Sequence, residues 1–175
     1  MMQHSTVKKI HIIGAVGSGK TTLAKKLCER KNIPHIELDN VVWIRSEAGD
    51  IRRVEAERDA YLQSLMRKEG WVIEGAHYQS WVTPALEKAD VIIFLDPSYS
   101  VRLYRVIKRW IFQCFKIEKS HYKPSFSMLV SMIRWTYLHE KKNRKVIIEL
   151  VQKYEEKVII ITNEEELEGH KKSRL

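Results

Sequence analysis

Val7-Lys8-Lys9-Ile10-His11-Ile12-Ile13 leads into Gly14-Ala15-Val16-Gly17-Ser18-Gly19-Lys20-Thr21, and that into Thr22-Leu23-Ala24-Lys25-Lys26-Leu27-Cys28. The first stretch is a short β-branched run and predicts a buried strand. The last holds good helix formers with apolar residues at 23, 24 and 27. The middle stretch matches G-x-x-x-x-G-K-[ST] in full. Strand, glycine loop and helix in that order turn the pattern into a phosphate site. The glycines let the backbone turn and approach an oligophosphate that a Cβ would hold off. The loop N–H groups then face an anion at the positive end of a helix dipole. Lys20 can reach the outer phosphates, and the Thr21 hydroxyl can ligate the Mg²⁺ that accompanies them. The residues Gly14 to Thr22 therefore predict a grip on a nucleoside triphosphate, ATP with Mg²⁺.

The chain has 175 residues, which predicts one domain, 1–175, with a sizeable core. Apolar residues make up 44% and charged residues 30%, a balance that fits a soluble globular protein. No run approaches the ~18 apolar residues of a membrane helix. Ile10–Ile13 is too short for a signal-peptide core and ends in the glycine loop. Cys28 and Cys114 both fall in helical patterns, and nothing in their spacing implies a disulfide framework or a metal cluster. A cytoplasmic location with no membrane partner is the expectation. Charge is uneven: residues 1–96 carry 14 Lys/Arg against 13 Asp/Glu, whereas 97–175 carry 17 against 9. The basic C-terminal part fits a nucleic-acid surface or an arginine-lined pocket over phosphates, and charge alone does not choose.

Beyond the loop, the first helix is expected to end near Arg30. His35–Leu38 predicts a short second strand with Asp39 at its carboxyl end, where ligands sit in open α/β sheets. Asp39 is thus a candidate for contact with the second substrate, as a base or an orienting acceptor. An N-cap for the Asn40–Trp43 turn is the alternative. A helix over about 52–68 follows, stopped by Gly70, and the region 39–68 is the expected acceptor-binding part. Trp71–Gly75 predicts a third buried strand. Glu74 at its end fits the carboxylate that holds Mg²⁺ through water. His77, Tyr78 and Trp81 line whatever lies beyond that end, His77 more simply as a loop histidine than as a catalyst. Val91–Leu95 predicts a fourth strand, ended by Asp96, which is either a second outer-shell candidate or an N-cap.

A helix over about 98–115 places Val101, Tyr104, Ile107, Ile111 and Cys114 on one stripe. Arg102, Arg105 and Arg109 form a neighbouring stripe, for phosphate or for solvent, with Arg105 and Arg109 the candidates for phosphate. The span 112–127 shows no clear period and predicts a short lid. A helix over 126–139 has Phe126, Leu129, Ile133 and Tyr137 as its apolar stripe. The basic run Lys141–Lys145 opens a further helix. Lys157–Asn163 predicts the fifth strand, and a short helix begins at Glu164.

The glycine loop, then Glu37-Leu38-Asp39 with Trp43, Trp71-Val72-Ile73-Glu74-Gly75, Ala89-Asp90-Val91-Ile92-Ile93-Phe94-Leu95-Asp96 and the helix through Lys108-Arg109 resemble one group of proteins. They look like the adenylate kinase-related P-loop proteins called DNA topology modulation proteins (FlaR-like). The resemblance spans residues 7 to about 162. It implies an α/β three-layer P-loop NTPase fold: a five-stranded parallel sheet in order 2-3-1-4-5, helices on both faces, and a short lid. It also implies ATP in the loop and an acceptor between Asp39, the 50s helix and the lid. The basic segment after the lid resembles the second arginine site of such kinases, which makes Arg144 a candidate for the transferring phosphate. Glu74-Gly75 departs from the Asp-Gly usual in the family.

The expected function is phosphoryl transfer from ATP to a small nucleotide- or nucleoside-type acceptor of unknown identity. In that expectation Lys20, Asp39, Arg105, Arg109 and Arg144 do the chemistry, while Thr21 and Glu74 (via water) place Mg²⁺. The alternatives are a nucleic-acid-binding ATPase that affects DNA topology, or a nucleotide-binding regulator without turnover.

Overall fold

A computed structural model of the chain describes residues 7–46, 49–117 and 125–173. Five strands form one parallel sheet: β1 (Lys9–Gly14), β2 (His35–Glu37), β3 (Trp71–Gly75), β4 (Val91–Leu95) and β5 (Val158–Ile161). Their spatial order is 2-3-1-4-5, the α/β order expected. Ile12 stands opposite Glu74 on β3 and Ile93 on β4, so β1 is the central strand. β3 and β4 are buried at every position, as continuous apolar runs covered on both faces must be.

Alternation along β1 divides the core. Ile10 and Ile12 join Leu23, Ala24 and Leu27 of α1 (Lys20–Lys31) on one face, with Ile159 and Ile161 of β5. Ile13 joins the other face, packed by α2 (Leu38–Val42), α3 (Glu55–Leu65), α4 (Thr83–Lys88) and α7 (Arg144–Gln152) through Leu38, Leu62, Leu86 and Ile147. Each such aliphatic side chain contributes about 1.5–3 kcal/mol on burial. α8 (Glu164–Ser173) returns along β5. No helix among the described residues is long and apolar enough to cross a membrane.

Several expected boundaries move. β2 stops at Glu37, and Asp39 lies inside α2 rather than at the strand's last residue. The 52–68 helix shortens to Glu55–Leu65, because Ile51–Arg52 pairs antiparallel with Trp43–Ile44 in a small ribbon. Arg53 stabilises that ribbon's base: its Nη1 donates to the Asn40 and Val41 carbonyls at 2.7 and 3.0 Å, closing the carbonyl end of α2. It also lies 4.4 Å from the centre of the Tyr61 ring. Arg53 is therefore a structural residue.

The larger correction concerns α5 (Tyr99–Cys114) and α6 (Phe126–Leu138). The apolar stripe of α5 faces outward, with Val101, Tyr104, Ile107, Ile111 and Cys114 exposed. The buried residues are Arg102, Val106 and Gln113. On α6, Phe126 and Tyr137 are exposed, and the inward set is Leu129, Met132 and Thr136. The physical reason lies in what these helices cover, which is the glycine loop. Val16 of that loop packs against Val106, Leu129 and Met132. A π-helical turn, His139–Asn143, joins α6 to α7. Residues 118–124, the middle of the expected lid, lie outside the described residues.

Candidate active site

The loop between β1 and α1 has the backbone its glycines permit. Gly17 has φ +76°, and a Cβ there would lie 2.7 Å from the Arg102 carbonyl oxygen. Gly19 has φ +98° and starts α1 with no side-chain cap, leaving the first amides of the helix for an external anion. The Ser18 hydroxyl is buried without a hydrogen-bond partner. Lys20 Nζ donates to the Ala15 carbonyl at 2.8 Å, folded back along the loop. Burial lowers the Lys20 pKa, and Arg109 adds to this, while Glu74 and Asp39 oppose it. Lys20 has no ion-pair partner among the described residues. Orphaned donors beside crowded cations are what a triphosphate tail would satisfy, so the loop residues fit ATP.

Glu74 ends β3 beneath this loop and accepts from the Thr21 hydroxyl at 2.7 Å. Burial alone would raise its pKa, yet His35, Lys20 and Thr21 outweigh that and hold the carboxyl below its usual range. An ionised carboxylate bonded to the loop threonine fits the outer shell of Mg²⁺, with Thr21 as the inner ligand. His35 on β2 adds a neighbour that sequence reading missed: its Nε2 lies 3.7 Å from Glu74 Oε1. His35, Glu37 and Glu74 keep one ligand atom each within 4.8 Å of one another, a donor set able to hold a cation. The alternation of His35 and Glu37 on a strand next to Glu74 is the signal that could have found it.

Arg105 reaches the loop, and Arg109 lies close enough for its charge to act on Lys20. Arg105 Nη1 donates to the Ser18 carbonyl at 3.2 Å and sits 3.5 Å from where a Gly19 Cβ would be. Arg109 Nη2 lies 3.2 Å from Met132 Sδ, its Nε is buried without a partner, and its charge is felt at Lys20. Arg102 is different. It is 1% exposed, donates from Nε to the Pro97 carbonyl at 3.0 Å and pairs with Glu140. Arg144 does not point free into the site: it pairs with Asp96 at 2.8 Å. Burial raises the Asp96 pKa, against the pull of Arg144.

On the acceptor side, Asp39 does not cap its turn. Its Oδ1 instead meets His77 Nε2 at 2.9 Å, 38 residues along the chain. The His77 ring stands at 62° to Trp81, 5.2 Å between centres, and the Arg58 guanidinium lies 4.6 Å from the Trp81 ring centre. The structure thus brings Lys20, Thr21, Glu74, Arg105 and Arg109 to one cluster and sets Asp39 near enough for Lys20 to influence it. Arg144 remains with Asp96.

No family model matches the chain. It is similar to the uncharacterized protein YqaC of Bacillus subtilis, 27% identical over 139 residues, covering 79% of this chain and 76% of that protein. It is also similar to shikimate kinase of Francisella tularensis subsp. novicida, 26% identical over 113 residues. That match covers 58% of this chain, and the chain spans 64% of the length of that kinase. Among solved structures, shikimate kinase from Bacteroides thetaiotaomicron superposes with a TM-score of 0.48 at 20% identity, covering 78% of this chain and 81% of the other. A gluconokinase from Sinorhizobium meliloti 1021 gives 0.44 at 20% identity, covering 73% of each.

Proposed function

We propose that this chain is a P-loop phosphotransferase that moves the γ-phosphoryl group of ATP to a small-molecule acceptor. The observation that carries the reading is Lys20, half-buried and without an ion pair among the described residues, close enough to Arg109 to feel its charge and set in a loop with an unpartnered buried donor. Cations gathered this closely repel one another unless a polyanion lies among them. In this reading the loop Gly14–Thr22 and Lys20 hold the β- and γ-phosphates. Thr21 and Glu74 place Mg²⁺, which when bound neutralises charge on the phosphate oxygens. Arg105 and Arg109 balance charge on the phosphoryl group in flight, and Arg144 joins them only by leaving Asp96. The acceptor lies between Asp39, α3 and the lid.

The resemblance to adenylate kinase-related proteins supports a nucleotide or nucleoside as acceptor. The similarity to shikimate kinase supports a hydroxyl on a small polyol acid. A nucleic-acid ATPase would use the basic C-terminal half as an outward surface. The buried Arg102, which pairs with Glu140, and the Arg144–Asp96 pair favour the phosphotransferase instead.

The test is ADP release from MgATP against panels of nucleosides, nucleotides, sugars and shikimate, with duplex DNA as a separate addition. One acceptor is expected to stimulate release, and Arg105→Ala and Arg109→Ala to cut the stimulated rate by about 10³ or more. Stimulation by DNA alone, with steep salt dependence, overturns the reading.

A further inference from the structure

Asp39 and His77 reach each other from two neighbouring strand ends, Asp39 from α2 after β2 and His77 from the loop after β3. An ionised carboxylate can only accept a hydrogen bond. Asp39 is held ionised: the hydrogen bond from His77 lowers its pKa, the charges of Lys20 and Arg45 add to this, and burial opposes it. The hydrogen of the 2.9 Å bond therefore sits on His77 Nε2, and whenever the ring holds a single proton its lone pair is on Nδ1. That nitrogen has no partner among the described residues. The edge contact with Trp81 fixes the plane of the ring. The groups around the pair are Lys20 of α1 and Arg45 beside the ribbon, both acting on Asp39, and Arg58 of α3 behind Trp81.

We infer that His77, oriented by Asp39, takes the hydroxyl proton of the phosphoryl acceptor. The inference rests on the phosphotransferase reading above and assigns a group that reading leaves open. The acceptor hydroxyl gives its proton to Nδ1 while its oxygen forms a bond to the γ-phosphorus. The bond from that phosphorus to the β,γ-bridging oxygen breaks, and its electron pair leaves with ADP. The resulting imidazolium is held by the Asp39 carboxylate. Asp39 alone suits this step less well, because a carboxyl held below its usual range is a weak base.

The test uses the full chain, with water as the acceptor in single-turnover MgATP hydrolysis, and follows the His77 ring nitrogens by ¹⁵N NMR. The expected tautomer is Nε2–H. ADP formation is expected to fall tenfold per pH unit below the His77 titration seen by NMR. His77→Gln keeps an N–H for Asp39 but has no basic nitrogen. It is expected to lower the rate by about 10² and flatten the acid limb. Wild-type rate and pH profile in His77→Gln overturn the inference, as does an Nδ1–H tautomer. Loss in Asp39→Asn with none in His77→Gln also overturns it, by making Asp39 the base. A chain that neither binds MgATP nor forms ADP sinks the phosphotransferase reading itself, a result distinct from these.

Discussion

Two acids flank the central strand, Glu74 at the end of β3 and Asp96 just past the end of β4. Both are buried, and both stand at the carboxyl edge of the sheet where the loop turns over. Their partners separate them. Glu74 accepts from Thr21 and feels Lys20, so it stays ionised although buried. Asp96 pairs with Arg144, and burial leaves its pKa raised. Position at a strand end therefore does not by itself tie an acid to the phosphate loop; the Thr21 donor does. Glu74 is tied to the loop, and Asp96 is tied to the helix after the lid.

The strongest way to break this comparison is Glu74→Gln against Asp96→Asn. Removing an outer-shell carboxylate costs about 10–100-fold in metal affinity or activity. Glu74→Gln is expected to raise the Mg²⁺ needed for half-maximal ADP formation by about that factor. Asp96→Asn is expected to change it less than about threefold. A Mg²⁺ titration of both variants decides it, and equal effects would erase the distinction.

A second experiment asks whether Arg144 serves Asp96 or the phosphate. Arg144→Met leaves a buried carboxylate unpaired, at a cost of about 2 kcal/mol for a pair half open to water. The sign with pH follows. With the folded Asp96 pKa above its unfolded value, the charged form weakens the fold, so lowering pH through the folded pKa restores stability to the variant. Urea unfolding at pH 7 and about pH 4.5 measures this. Arg144→Met combined with Asp96→Asn is expected to recover most of the loss. Lost turnover at unchanged stability would instead assign Arg144 to the phosphoryl group.

The loop and the sheet were legible in the sequence because local geometry dictates them. Only glycine accepts the φ of Gly17 and the approach of the Arg102 carbonyl, and strands covered on both faces read as unbroken apolar runs. The faces of α5 were not legible. Periodicity finds an apolar stripe and assigns it to the core, yet Val101, Tyr104, Ile107 and Ile111 face outward. The inward side is chosen by tertiary partners: Arg102 turns in because Pro97 and Glu140 offer it oxygens, and Glu140 is 38 residues away. The Asp39–His77 pair was hidden for the same reason. Its members lie on adjacent strand ends that only the 2-3-1 order brings together.

The smallest expected effect lies between the two acids, at His11 on β1. Its ring is fully buried, neither nitrogen has a partner, and burial lowers its pKa to about 4 although Glu74 pulls the other way. In the unfolded chain the ring titrates at about 6.5, so below that pH unfolding takes up a proton that the folded state refuses. Stability is complete above about pH 6.5 and declines as pH falls toward 4. One pH unit into that window is worth about 1 kcal/mol, so urea unfolding at pH 7 and about pH 5.5 is expected to differ by that amount. His11→Val keeps the burial and removes the proton, and it should abolish this part of the slope. Because Glu74 supplies the opposing charge and Asp96 does not, Glu74→Gln is expected to carry the decline to lower pH, below about 4, and Asp96→Asn to leave it unchanged. A decline that ends at the same pH in Glu74→Gln would mean that the Glu74 charge is felt by Lys20 and Thr21 and not by the strand, which would tie that carboxylate still more closely to the loop.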